Sequence, residues 1–227
     1  KPKKGVALMQ KIGRLGETPL EIAAFLRHTP DLDKTVIGDY LGERDEPMLS
    51  VMHAYVDAMD FTDQTLDEGI RKFLEGFRLP GESQKIDRLM EKFAERFCKQ
   101  NPGEYKSADT AYVLAFSVIM LNTDAHNPQV KNKMTKEGFT RNNRGIDDGA
   151  DLPREHLEDL YDRIVNNEIR MKDENPTLLA QKAEMNAKDG ASSFNRTMKD
   201  MSNRLGMDVL SQMMFGATKR TQMVSLF

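Results

Sequence analysis

The sequence is short of the features that would fix a function class at once. It has one cysteine, Cys98, in 227 residues, so no disulfide can form within the chain and a reducing, cytoplasmic compartment is the expectation. The longest nearly unbroken apolar run, residues 111–121, falls well short of the ~20 residues a membrane span needs. There is no excess of positive charge: 33 Lys and Arg stand against 36 Asp and Glu, a net of −3, which argues against a nucleic-acid partner. No glycine-rich phosphate loop is present, so the chain is not expected to hold a nucleotide or other cofactor itself. The histidines, His28, His53, His126 and His156, show no metal-ligand spacing. Asp147 to Asp151 with Glu158 outlines the ends of a calcium loop, but Leu152 stands where such a loop needs glycine and Pro153 follows, so the stretch reads as a turn and no metal site is expected. No segment alternates strictly, which excludes a sheet. The chain opens without Met or a signal peptide and reads as a piece of something longer.

What is present is a succession of amphipathic helices. Residues 1–4 form a basic lead-in that reads as a solvated end. Thr18-Pro-Leu-Glu21 is a capping box with proline at the first helical position, opening a helix that carries Ile22, Phe25 and Leu26. Asp33 caps the next, with Ile37, Tyr40 and Leu41 inward and Gly42 at its end. Pro47 precedes Met48, Val51, Met52, Tyr55, Val56 and Met59, spaced as one buried stripe. Thr65-Leu-Asp-Glu68 is a second capping box, leading to Ile70, Phe73, Leu74 and Phe77. Further on, Thr135 caps a short helix with Phe139. Residues 142–152 form a Gly- and Asp-rich loop, and Pro153 starts a helix with Leu157, Leu160, Tyr161, Ile164 and Val165 on one face. Segment lengths do not repeat, so a regular solenoid is excluded while irregular stacking of helix pairs is not.

Residues 77–127 organise the rest. Phe77-Arg-Leu-Pro-Gly-Glu82 is a turn that delivers a carboxylate to the mouth of a helix whose Ile86, Leu89, Met90, Phe93, Ala94 and Phe97 fall on one stripe, with Cys98 closing it as a small core residue. After a loop over 99–106 comes the run 111–121, apolar on every side and expected to end at the polar residues Asn122 to Pro128. A carboxylate on a turn beside an apolar helix suits insertion into a partner. A hydrolase using Glu82 with Asp87 or Asp109 would lack a positioned nucleophile.

Phe77-Arg-Leu-Pro-Gly-Glu82 with Gln84-Lys-Ile-Asp-Arg88, then Asp109-Thr110, Met120-Leu-Asn-Thr-Asp124, His126-Asn-Pro128 and Asn143-Arg-Gly-Ile146, resembles the Sec7 domain of Arf guanine nucleotide exchange factors, in the detail of its large, brefeldin A-inhibited branch. The resemblance covers residues 1–173, leaving 174–227 as a linker and the start of a downstream helical regulatory region in which residues 205–215 are apolar enough to dock. It implies an all-α fold, an irregular right-handed stack of about ten helices with an apolar groove beside the Pro-Gly-Glu loop. It implies exchange rather than bond-making chemistry: Glu82, the glutamic finger, would eject GDP from an Arf-family small GTPase, bound in its GDP-loaded and nucleotide-free states, and so regulate vesicle trafficking. The GTPase contacts it implies are Gly81, Ser83, Asp109, Tyr112, Phe116, Ile119, Met120, Asp124, Asn127 and Asn143, the last either a rim contact or a lock on the fold. Brefeldin A would bind at Phe116, Ser117, Met120, Asp124 and Met134, a mixed set: Phe116 stands where sensitive relatives carry Tyr. Location on Golgi, trans-Golgi or endosomal membranes would be peripheral and indirect. The alternative is an all-helical interaction module that catalyses nothing.

Overall fold

The computed structural model describes residues 2–170; the expected linker and docking stretch over 174–227 lie outside the described residues. Among the described residues there are nine helices and no strand, only an isolated bridge between Asp147 and Ala150. The fold is all-α, as expected. The chain divides into two compact units. The first takes residues 2–115 with 169–170 and the second residues 116–168, and helix α7, Ala108–His126, runs from one into the other.

The first unit holds α1 (Pro2–Lys11), α2 (Pro19–His28), α3 (Lys34–Leu41), α4 (Met48–Asp57), α5 (Leu66–Phe73) and α6 (Ser83–Gln100). The caps read from sequence form. The Thr18 hydroxyl accepts from Glu21 N at 3.3 Å while the Glu21 carboxylate accepts from Thr18 N at 3.1 Å. The Asp33 carboxylate accepts from Thr35 N at 2.8 Å, and Glu68 reaches back to Thr65 N at 2.9 Å. Each satisfies donors that a helix start leaves without intrahelical partners. With the helices begun, their stripes close on one another. Helix α4 packs on α2, α3 and α6, and α6 also on α3 and α5. At the centre lies a run of rings. Phe93 sits 4.9 Å from Phe73, 5.2 Å from Phe61 and 5.9 Å from Phe97 between centroids, and Phe77 stands edge-on to both Phe73 and Tyr55.

The second unit holds the rest of α7 with α8 (Lys136–Asn142) and α9 (Arg154–Asn166) packed together. Thr135 caps α8 through Gly138 N at 3.0 Å, and α9 buries Leu157, Leu160 and Ile164 while Tyr161 and Val165 stay half-buried.

Two expectations are corrected. The lead-in at 1–4 is not merely a solvated end, because Pro2 opens α1, which buries Val6. Proline at the first turn favours the helix it begins. Helix α7 does not stop at Leu121 but continues through Asn122 to His126. A backbone helix needs no apolar side chains to persist; it ends just before Pro128, where the preceding residue is pushed out of helical geometry. The Lys133 ammonium then hydrogen-bonds the carbonyls of Asp124 and Asn127, each at 2.6 Å, a cation where a helix end concentrates negative charge.

Candidate functional site

The loop that presents Glu82 is fixed at both ends. Phe77 is fully buried among rings, and Arg78 N donates to Lys34 O at 3.0 Å. That bond brings the Arg78 carbonyl so close to Gly38 that a Cβ built there would lie 1.7 Å from its oxygen, so only glycine fits. Past the loop, the Arg88 guanidinium donates to Gly42 O. The Lys85 stem lies against Gly42, where an added Cβ would come within 2.7 Å of Lys85 Cβ. Gly42 ends α3 with φ −75°. Its glycine therefore serves the close approach of α6 rather than a left-handed turn.

Glu82 is the N-cap residue of α6, with extended backbone (φ −96°, ψ 124°) and no capping bond from its side chain. Its carbonyl accepts from Lys85 N and Ile86 N at 3.1 and 3.2 Å. The carboxylate itself is 60% exposed, and its recorded ionic contact is Lys85 Nζ at 3.8 Å. Lys85 is committed more closely elsewhere, to Glu43 at 2.9 Å, whose carboxyl it holds below the usual range; Lys3 adds to Glu43 at 3.5 Å. A helix-capping acid would turn inward onto the free N–H groups. Glu82 instead is anchored by its backbone and loosely held at its charged end.

The remaining expected site residues divide by exposure. Gly81 is exposed, and a Cβ there would meet nothing within 4 Å; Ser83 is half-buried and Asp109, in the first turn of α7, is exposed. Tyr112 is 7% exposed and its hydroxyl donates to Asp87, which ties Asp87 into the fold. Phe116 and Ser117 are 1% and 2% exposed, whereas Ile119 and Met120 are half-buried. In the second unit the Asp124 carboxylate accepts from Met134 N at 2.7 Å, bringing together two residues expected at the inhibitor site. Asn127 uses its side-chain oxygen on Gln129 N at 3.0 Å. Asn143 is 0% exposed and donates its amide to Phe139 O at 2.8 Å. That bond closes the last turn of α8 on its own backbone. His126 Nε2 donates to Ile164 O at 2.9 Å, tying α7 to α9. The Cys98 thiol is pushed up to about 11 by burial and then by Glu104.

Lys85, Glu43 and Gly38 carry more of the site than their sequence suggested. The spacing Gly38 to Gly42, four residues apart on one face of α3, was the available sign of a close helix approach.

The Sec7 domain family matches residues 1–169. The brefeldin A-inhibited guanine nucleotide-exchange protein 3 of Arabidopsis thaliana is 66% identical over 174 residues, 77% of this chain and 10% of that protein. Among solved structures, a Sec7p catalytic domain superposes with a TM-score of 0.71 at 54% identity, covering 74% of this chain and 89% of the other. A Sec7 domain bound to ARF1-GDP and complexed with brefeldin A does so with a TM-score of 0.69 at 39% identity, covering 75% and 87%. The chain spans about a tenth of the length of the curated relatives it matches.

Proposed function

Since the chain belongs to the Sec7 domain family, we propose that it releases GDP from an Arf-family small GTPase, with Glu82 as the displacing group. A small GTPase holds its nucleotide largely through Mg²⁺ and a P-loop lysine, both on the phosphates. A carboxylate introduced there repels the β-phosphate and takes the lysine as its own counter-ion, so nucleotide leaves without any covalent step. The observation that carries this reading is the state of Glu82: backbone fixed as the N-cap of α6, side chain 60% exposed and making no capping bond to the helix it begins. Gly81 fits the same reading. Among the described residues nothing crowds its Cβ position, so the absence of a side chain leaves room for a partner's backbone to come close.

Ile119 and Met120 are the half-exposed apolar residues of α7 on which the GTPase's switch side chains pack. Buried Tyr112 and Phe116 support the helix that presents them. Asp124 and Asn127 supply polar contacts further along the chain, and Asp109, in the first turn of α7, supplies one of its own. The longer protein works at a membrane through its GTPase and its other parts; no helix among the described residues is long and apolar enough to cross one. Brefeldin A binds the GDP-loaded complex at Phe116, Ser117, Met120, Asp124 and Met134.

Release of a fluorescent GDP analogue from a soluble Arf-family GTPase tests the assignment. Glu82→Ala and Glu82→Lys should each bind the GTPase yet release nucleotide at the uncatalysed rate, with melting temperatures close to wild type because only one loose surface ion pair is lost. Release by Glu82→Ala at the wild-type rate, with binding retained, would leave a non-catalytic interaction module as the better account.

A further inference from the structure

The first 16 residues carry five basic side chains, Lys1, Lys3, Lys4, Lys11 and Arg14, and no acid, whereas residues 17–173 carry 21 basic against 31 acidic, a net of −10. Residues 1–16 are thus a net positive stretch in an otherwise acidic sequence. Helix α1 gives that stretch a shape. It buries Val6 alone, and one helical turn places Lys4, Leu8, Lys11 and Ile12 together on the side away from Val6. Leu8 is 58% and Ile12 54% exposed, two of four large apolar side chains left in solvent among the described residues. Gly5 and Ala7, just before Leu8, are also exposed, and Gly13 turns the chain away at φ +70°. Lys3 is drawn aside to Glu43 and Asp45. Lys4, Lys11 and Arg14 are exposed and make no ion pair among the described residues.

Two branched aliphatic side chains flanked by lysines, with no neighbouring acid on the element, is the pattern of a helix that lies in the plane of an anionic bilayer: apolar tips enter the acyl boundary and ammonium groups stay at the headgroups. We propose that α1 docks this domain on an anionic lipid surface through Leu8 and Ile12, with Lys4, Lys11 and Arg14 as the electrostatic contacts. An anionic bilayer meets both halves of this face at once, its headgroups against Lys4, Lys11 and Arg14 and its acyl boundary against Leu8 and Ile12; a second copy, receiving the apolar pair on its exposed Leu20 and Val36, is the alternative that the test below separates. The −10 balance of residues 17–173 is repelled by the same surface, so attraction to it must come from the basic residues of 1–16. This inference is independent of nucleotide exchange.

The test is co-sedimentation of the 227-residue chain with sucrose-loaded vesicles of phosphatidylcholine, with and without phosphatidylserine. Each lysine brought to an anionic surface contributes about fivefold in affinity, so binding should be at least about tenfold tighter with phosphatidylserine and should weaken as salt is raised. K4E/K11E should abolish it. L8S/I12S, which leaves every charge in place, should weaken binding to the phosphatidylserine vesicles several-fold while keeping its salt dependence, and both variants should melt like wild type. Equal binding to the two vesicle types would overturn the proposal, as would binding untouched by either pair of changes. Self-association of the wild type in sedimentation velocity, lost in L8S/I12S without vesicles, would overturn it in favour of a second copy.

Discussion

The charged chain Glu43–Lys85–Glu82 makes a prediction with a sign that ordinary damage cannot mimic. Lys85 Nζ lies 2.9 Å from Glu43 and 3.8 Å from Glu82, so two carboxylates compete for one ammonium and Glu82 has the weaker share. Because Glu82 is 60% exposed, the appropriate dielectric is near that of water, and two unit charges at that separation attract by about 1 kcal/mol. To reach a partner's lysine the carboxylate must leave Lys85, and this cost lies between free protein and transition state, where it reduces kcat/KM. Lys85→Met removes it, and kcat/KM for exchange should rise by up to about fivefold. Glu43→Gln does the opposite: Lys85, released from its closer partner, settles onto Glu82 and slows exchange by a similar factor. The double variant should behave like Lys85→Met, since Glu43 acts only through Lys85. Raising ionic strength should shrink both effects to about twofold or less. The assay is nucleotide release at sub-saturating GTPase, with melting temperatures as a control because the Lys85 stem also packs on Gly42. If both single variants are slower than wild type at unchanged stability, Lys85 positions Glu82 productively and the competition argument is wrong.

Further outcomes follow from the packing and the inhibitor site. Phe93→Ala, at a fully buried ring between Phe61, Phe73 and Phe97, should cost about 3–5 kcal/mol in urea unfolding; a loss below about 1 kcal/mol would mean that the cluster collapses around the gap. The half-buried Cys98 thiol, raised to about 11, should react with iodoacetamide near neutral pH about two orders of magnitude more slowly than an open cysteine, and labelling at the rate of the unfolded chain would contradict that shift. Brefeldin A should inhibit exchange weakly, and Phe116→Tyr should strengthen inhibition about two- to thirteen-fold by one added hydrogen bond. Since Phe116 is 1% exposed, a fall in melting temperature without stronger inhibition would show the new hydroxyl to be buried away from the inhibitor.

What could be read ahead of the structure, and what could not, follows from which forces are local. Capping at Thr18, Asp33 and Thr135 involves residues two or three apart, and the α6 stripe is set by helical period alone, so both are visible in a linear string. Helix α1 escaped notice because three lysines and Gly5 look like a solvated end, and the residues that pin it, Val6 and later Leu15, are too few to make a period. The continuation of α7 to His126 escaped because its last turn is held by backbone bonds and by the Lys133 ammonium, which arrives from beyond the helix. Asn143 could be read as rim or lock with equal right: its bond to Phe139 O is local, but its complete burial is decided by tertiary packing. The resemblance supplied Glu82. It could not supply the state of Glu82, since that depends on Lys85 being drawn to Glu43, a residue 42 positions earlier in the chain.

The same long-range pairing explains why an acid can sit at a helix start without being absorbed by the helix. At the N-terminus of α6 the backbone N–H groups attract any carboxylate, and an acid at the N-cap ordinarily turns inward to accept from them. Here the Glu82 side chain makes no such bond, while Lys85, only one turn on, offers a charge outside the helix axis. That charge is in turn half-neutralised by Glu43, which is itself shared with Lys3. Each step weakens the hold on the next, so the carboxylate is biased outward yet bound by little. The backbone beneath it has the opposite character: Phe77 in the ring cluster, Arg78 on α3 and the Arg88 guanidinium on Gly42 fix it from both sides. A rigid base with a weakly held charged tip limits the ordering cost on docking to one side chain, on the order of 1.5–2 kcal/mol. Stability and exchange should therefore separate cleanly, with changes in the ring cluster lowering the folded fraction and changes along Glu43–Lys85–Glu82 altering rate at constant fold.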